Sequence, residues 1–218
     1  MARIFLTLSV LSIVLLLANL VVGLNTGDLN GAAARLISAE RDFRLRRDSG
    51  ATKQLEELEQ ARDEAVDAYQ PLRKHVQLHM LLGISASLVA VLVNSITVTY
   101  FVGTTRWCRE VCDTYSLGDD WPRQSDALKR TAFPWSVTGI MAVMVIVAFG
   151  AASDPGAMGP DKAARWVSVH FMAAIIGCVV ICYAFYRQAR AVGANYDVIR
   201  QITDKVQQIR QEQGWDEE

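Results

Sequence analysis

The chain has 218 residues, a hydrophobic fraction of 51% and a formal net charge of −1. Nucleic-acid binding is excluded on that balance, because neutralising a phosphate backbone requires a basic face. The charged residues, 21% of the total, are crowded between long apolar runs, so lipid rather than a water-excluding soluble core is the expected burial device.

Four stretches lack Asp, Glu, Lys and Arg: Ile4 to about Leu24, the thirty-one residues between Lys74 and Arg106, Thr131 to Ser153, and Trp166 to Tyr186. A transmembrane helix needs ~20 apolar residues at ~1.5 Å per residue to cross ~30 Å of hydrocarbon, and all four meet that length. The sequence therefore predicts an all-α integral membrane protein with four transmembrane helices, an extramembrane helical hairpin and a C-terminal amphipathic helix.

Residues 1–24 form the first predicted span. Arg3 and Val21-Val22-Gly23 resemble the ends of a secretory signal, but the apolar run exceeds the usual ~7–15 residues and favours an uncleaved anchor. Residues 25–78 are the predicted hairpin. Asn25-Thr26-Gly27-Asp28 breaks the first helix, 30–48 reads as a second, and Asp48-Ser49-Gly50 is a turn with Gly50 suited to a left-handed stop. From Thr52 the residues Leu55, Leu58, Ala65, Val66, Tyr69 and Leu72 make one apolar stripe, while Glu56, Glu57, Glu59, Asp63 and Glu64 take the wet side. Pro71 is expected to kink this helix.

Residues 79–103 are the second span, the most polar of the four, with Ser85, Ser87, Asn94, Ser95, Thr97 and Thr99. Asn94 is expected to point inward and hydrogen-bond another helix, and Gly83-x-x-x-Ser87 to allow close helix approach. A polar face of this kind can serve transport, yet no span carries an acid or base suited to coupling ions, which favours packing. Residues 104–130 read as an interfacial connector, since Trp107, Tyr115 and Trp121 beside arginines suit the headgroup level. Gly118-Asp119-Asp120-Trp121-Pro122 should turn the chain into a short helix capped near Ser125. The third span covers 131–153, residues 154–165 form a tight irregular loop, and the fourth span covers 166–186.

In the tail, 187–218, Val192, Ile199, Ile202, Val206 and Ile209 form a seam of about two heptads, a short coiled-coil pattern. Packing on the chain's own connector is favoured over packing on a neighbour, because short helices associate weakly alone. Lys and Arg number eleven on each side of the predicted membrane. The positive-inside rule weights short loops, and Arg106, Arg109, Arg123, Lys129 and Arg130, followed by Arg187 and Arg190, place both termini and residues 104–130 in the cytoplasm. Residues 25–78 and 154–165 then lie outside.

The sharpest chemical feature is the histidines. His75 and His79 are four apart on one helical face, and His170 lies about one and a half turns into the fourth span. Imidazoles could hold haem iron, copper or zinc, with Asp154 and Asp161 as possible additional ligands. The alternative is interfacial polarity for His75 and His79 and a packing role for His170. HxxxH lacks the glutamate of a zincin motif, which excludes that protease chemistry. Cys108/Cys112 and Cys178/Cys182 also repeat at i, i+4, a spacing too wide for a disulfide within a helix, and read as small packing residues. The TYFVGTTRWCREV block at 99–111 is distinctive but attaches to no chemistry. The reading is thus a multi-pass membrane interaction or accessory protein without catalytic or cofactor residues, contacting lipid and a protein partner or a second copy through the hairpin or the C-terminal helix. The alternative is a metal- or haem-binding redox protein using His75, His79 and His170.

Overall fold

A computed structural model of the chain describes residues 2–48 and 54–214. Those residues are almost entirely helical, with no strand among them. The helices are α1 (Ala2–Leu24), α2 (Leu29–Asp48), α3 (Leu55–Thr114), α4 (Asp120–Ala152), α5 (Pro155–Met158) and α6 (Pro160–Glu212). Four of them, α1, α3, α4 and α6, are long and apolar enough to cross a membrane. Two compact units are present: one comprises Met1–Ile13, Leu88–Val143 and Val179–Glu218, the other Val14–Ser87 and Met144–Cys178.

In the second unit, α1 stops where Gly27 adopts a left-handed φ of 68°, and Asp28 caps α2 by accepting from the Gly31 amide at 2.8 Å. The predicted stop at Ser49-Gly50 lies outside the described residues. Leu55, Leu58, Ala65, Val66, Tyr69 and Leu72 of α3 are half-buried and the acidic residues between them exposed, which is the expected amphipathic division. Phe43 of α2 is buried, with the Arg62 guanidinium of α3 over its ring at 4.7 Å. Pro71 sits inside α3 and does not interrupt it. The expected irregular loop at 154–165 is instead mostly helical: α5 takes Pro155–Met158, and α6 already begins at Pro160. Asp154 caps α5 by accepting from the Gly156 amide, and Gly159, at φ 78°, separates α5 from α6.

In the first unit the expected connector at 104–130 turns out to be the end of α3 and the start of α4. The loop between them is only residues 115–119, because α3 is stopped by a local device. Ser116 takes φ 55°, the Leu117 amide bonds Cys112 O at 2.9 Å, and the Ser116 amide bonds Asp113 O. This pair of bonds is the Schellman closure, and Leu117 packs into the apolar cluster holding Cys112, as that closure favours. The short helix expected to be capped near Ser125 is instead continuous with α4, which starts at Asp120, and Ser125 is fully buried inside it.

The tail helix is a continuation of α6. Its residues Val198 and Ile202, fully buried, pack with Cys108 and Cys112, flanked by Ile199, Val206, Trp121 and Leu128. A second cluster joins Phe101, Ala132, Ala191 and Val192. The seam read in the sequence thus closes on the end of α3 and the start of α4 of its own chain.

Candidate functional site

Within the second unit, α1 and α3 meet along a ladder in which histidine rings of α3 bond carbonyls of α1. His75 Nε2 lies 3.2 Å from Val22 O, and His79 Nδ1 lies 3.2 Å from Asn19 O. A carbonyl only accepts, so His75 carries its proton on Nε2 and His79 on Nδ1. The His79 Nε2 lone pair is left open. Gly23 makes this approach possible: a Cβ there would stand 2.7 Å from His79 Cε1. One turn along α3, Gly83 packs on the Asn19 side chain in the same way, with 3.2 Å from an added Cβ to Nδ2.

His170 of α6 reaches the same place from another helix. Its ring centroid is 6.3 Å from that of His79, with an interplanar angle of 68°. Gly150 of α4 receives the His170 ring, whose Cε1 would be 3.1 Å from a Cβ at that position. The His170 ring rests against the α4 backbone, where Ile146 offers it a hydrogen bond. His79 and His170, ninety-one residues apart, are therefore brought together, while His75 is turned to Val22. Among the described residues no three His, Cys, Asp or Glu side chains gather closely enough to hold one metal ion. Asp154 is engaged as the cap of α5, and Asp161 lies exposed in the first turn of α6.

The polar face of the predicted second span resolves into two kinds of residue. Ser85, Ser95 and Thr99 are exposed and bond carbonyls one turn back in their own helix, at Leu81, Val91 and Ser95. Their hydroxyls are satisfied locally and do not face the interior of the unit. Asn94 and Thr97 face inward and are fully buried. Gln188 of α6 donates from Nε2 to Asn94 Oδ1 at 2.9 Å and accepts at Oε1 from Thr97 Oγ1 at 2.6 Å, while Asn94 Nδ2 donates to Ala90 O.

A second buried network, also in the first unit, centres on Asn195. Its Nδ2 donates to Thr104 Oγ1 at 3.0 Å and to Tyr100 Oη at 3.2 Å, and its Oδ1 accepts from Ser125 Oγ at 2.7 Å. Ser125 Oγ is in turn 3.2 Å from Thr105 Oγ1. Gln188 and Asn195 bond partners on other helices, whereas Asn94 accepts from Gln188 and donates within its own helix. The first network therefore fixes the register of α3 and α6, and the second that of α3, α4 and α6. Neither holds a nucleophile paired with a base. The four cysteines form no disulfide, and Cys108 and Cys112 are buried in the apolar cluster of the tail, the packing role expected of them. No family model, curated protein or solved structure matches the chain.

Proposed function

We propose that this chain is a multi-pass membrane protein of the interaction or accessory class, with cytoplasmic termini and an outer hairpin that docks a partner protein. The membrane part rests on the four long apolar helices and on what they turn outward: Leu81, Leu88, Val147 and Val179 are each more than half exposed. Such a surface is stable against hydrocarbon and prone to association in water.

One observation carries the docking part. On α2, within the charged segment beyond the spans, Ile37 and Leu45 are exposed at 48% and 65%. With Leu36 and Val66 they line an open groove whose rim is Glu40, Arg41 and Arg44. Arg44 is held by Glu40 at 2.8 Å, which leaves the rim with a net positive charge at Arg41. An open groove with this lining suits an amphipathic helix that inserts apolar side chains at i, i+3 and i+4 and presents a carboxylate to Arg41.

A photocrosslinking residue at Ile37 in the intact chain, in native membranes, tests this. A discrete adduct is expected that is absent when the probe is placed at Glu57 and is lost when Arg41→Glu is added. Diffuse labelling that ignores Arg41→Glu would sink the docking reading, and an adduct of twice the chain's mass would identify the partner as a second copy.

A further inference from the structure

We propose that Lys162, Arg165 and Trp166 form a seat for an anionic phospholipid, with the lipid phosphate at the two cations and the adjoining acyl carbons on Met158, Trp166 and Val169. The seat rests on the membrane reading given above and goes beyond it by naming a lipid class and a place. Lys162, Arg165, Trp166 and Val169 recur at three- and four-residue steps in α6, so they share one helical face. With Met158 of α5 they line an open groove. Its level follows from the sequence. Arg165 is the last charge before the apolar run that opens at Trp166, so the polar end of the groove meets headgroups and the apolar end meets hydrocarbon.

The groove has the two halves that such a lipid requires. At the apolar end Met158, Trp166 and Val169 are 45%, 38% and 39% exposed. Trp166 is held in place, because its ring stacks on Phe149 of α4 at 5.7 Å and 24°. At the polar end Lys162 and Arg165 are exposed, and among the described residues neither forms an ion pair with a carboxylate. Asp154 is engaged as the cap of α5, and the neighbouring Asp161 pairs with neither cation. Around the turn between α3 and α4, by contrast, Arg106, Arg109 and Arg123 are each held by an acid, at 2.7, 2.8 and 3.2 Å. Two uncompensated cations at the membrane edge attract anionic headgroups, and the guanidinium fork of Arg165 suits a pair of phosphate oxygens. A zwitterionic lipid brings its own cation to the same place and loses that gain. An acidic protein segment would satisfy the cations but not the apolar wall, which stands at the level of the hydrocarbon.

The test places the full-length chain in phosphatidylcholine vesicles doped with a photoactivatable phosphatidylglycerol or, separately, a phosphatidylcholine carrying the same diazirine acyl chain. Adducts are mapped by peptide mass spectrometry. Both probes should label Leu81 and Leu88, which are exposed on α3 within the apolar run. The phosphatidylglycerol probe should label 158–169 at least about fivefold more than the phosphatidylcholine probe, and unlabelled phosphatidylglycerol should suppress that excess. Lys162→Gln with Arg165→Gln should bring the two probes within about twofold of each other. Arg73→Gln with Lys74→Gln, which removes the same charge from exposed positions on α3, should leave the excess intact. The competition arm needs no substitution, so the proposal is tested even if a variant folds poorly. Absence of adducts at Leu81 and Leu88 defeats the membrane reading itself. Labelling there with equal yields of both probes at 158–169 overturns the lipid seat alone, as does an excess that survives Lys162→Gln with Arg165→Gln. Labelling at Leu81 with none from either probe at 158–169 means that protein covers the groove, and overturns the seat as well.

Discussion

Gln188 and Asn94, ninety-four residues apart, are joined by a 2.9 Å hydrogen bond between two side chains with no exposed surface. With Thr97 they form a closed clasp between α3 and α6 in which each amide is both donor and acceptor. An unpaired amide in such a setting is costly, so the clasp specifies one axial register for the two helices.

Gln188→Leu tests its worth. The substitution removes a donor from Asn94 and an acceptor from Thr97 at once, and should destabilise the fold by ~1–2 kcal/mol. Denaturation in a detergent series reads the loss, and an unchanged midpoint would show that the clasp contributes no net stability.

Gly139→Ala should be harmful for a separate reason. A Cβ there would lie 2.6 Å from Asn94 Oδ1 and 2.9 Å from Asn94 Nδ2, and Gln188 prevents Asn94 from stepping aside. Overpacking of this kind costs ~1–3 kcal/mol. In an Asn94→Ala background the clash has no partner, so the two substitutions should be non-additive, the double variant being more stable than the sum of the singles implies. Strict additivity in a double-mutant cycle would refute the contact.

The clasp also shows what the sequence could and could not disclose. Apolar runs announce four long helices by length alone, and Asn94 stands out because a lone amide in such a run has to find a partner. Gln188 and Asn195 do not stand out, because they follow Arg187, where returning charge reads as the end of the apolar segment. The helix does not end there. Ile181, Ala184, Phe185, Gln188, Ala191, Val192, Asn195, Val198 and Ile202 are one buried stripe at three- and four-residue steps, and following that period past the first arginine finds both amides. Ser116 escaped notice for a different reason. Its left-handed φ is imposed by the hydrophobic seat of Leu117, a tertiary effect that leaves no local signature. The approach of His170 to His79 is long-range in the same sense: i, i+4 spacing pairs His75 with His79 in sequence, whereas packing pairs His79 with His170.

The proposed topology makes a labelling prediction. In a background with all four cysteines replaced by Ala, a single cysteine at Glu57 should react with a membrane-impermeant maleimide applied outside intact cells, and one at Glu110 only after the membrane is opened. Both positions are exposed, so accessibility within the fold is not the variable. The reverse pattern would invert the orientation, and labelling of both from outside would remove the membrane from between them.

Cys108 and Cys112 should report on whether the tail stays packed. Both thiols are raised above the ordinary thiol range: burial is the main cause for each, partly offset at Cys108 by a hydrogen bond with Ser125 and reinforced at Cys112 by Cys108 and nearby acidic groups. Because the thiolate is the nucleophile, alkylation at neutral pH should be slow and should accelerate only well into the alkaline range. The same shift sets a sign for stability. The fold prefers the neutral thiols, so their contribution is constant below the ordinary thiol pKa of ~8.5 and declines as pH rises from there through the raised native values. Replacing both by Ala should flatten this alkaline decline. Since Val198 and Ile202 are buried in one cluster with Cys108 and Cys112, Ile202→Asp should lift the tail locally and speed labelling at pH 7 at least tenfold. A rate unchanged by Ile202→Asp would mean that the tail is not what shields them, and would detach the C-terminal seam from its place on α3 and α4.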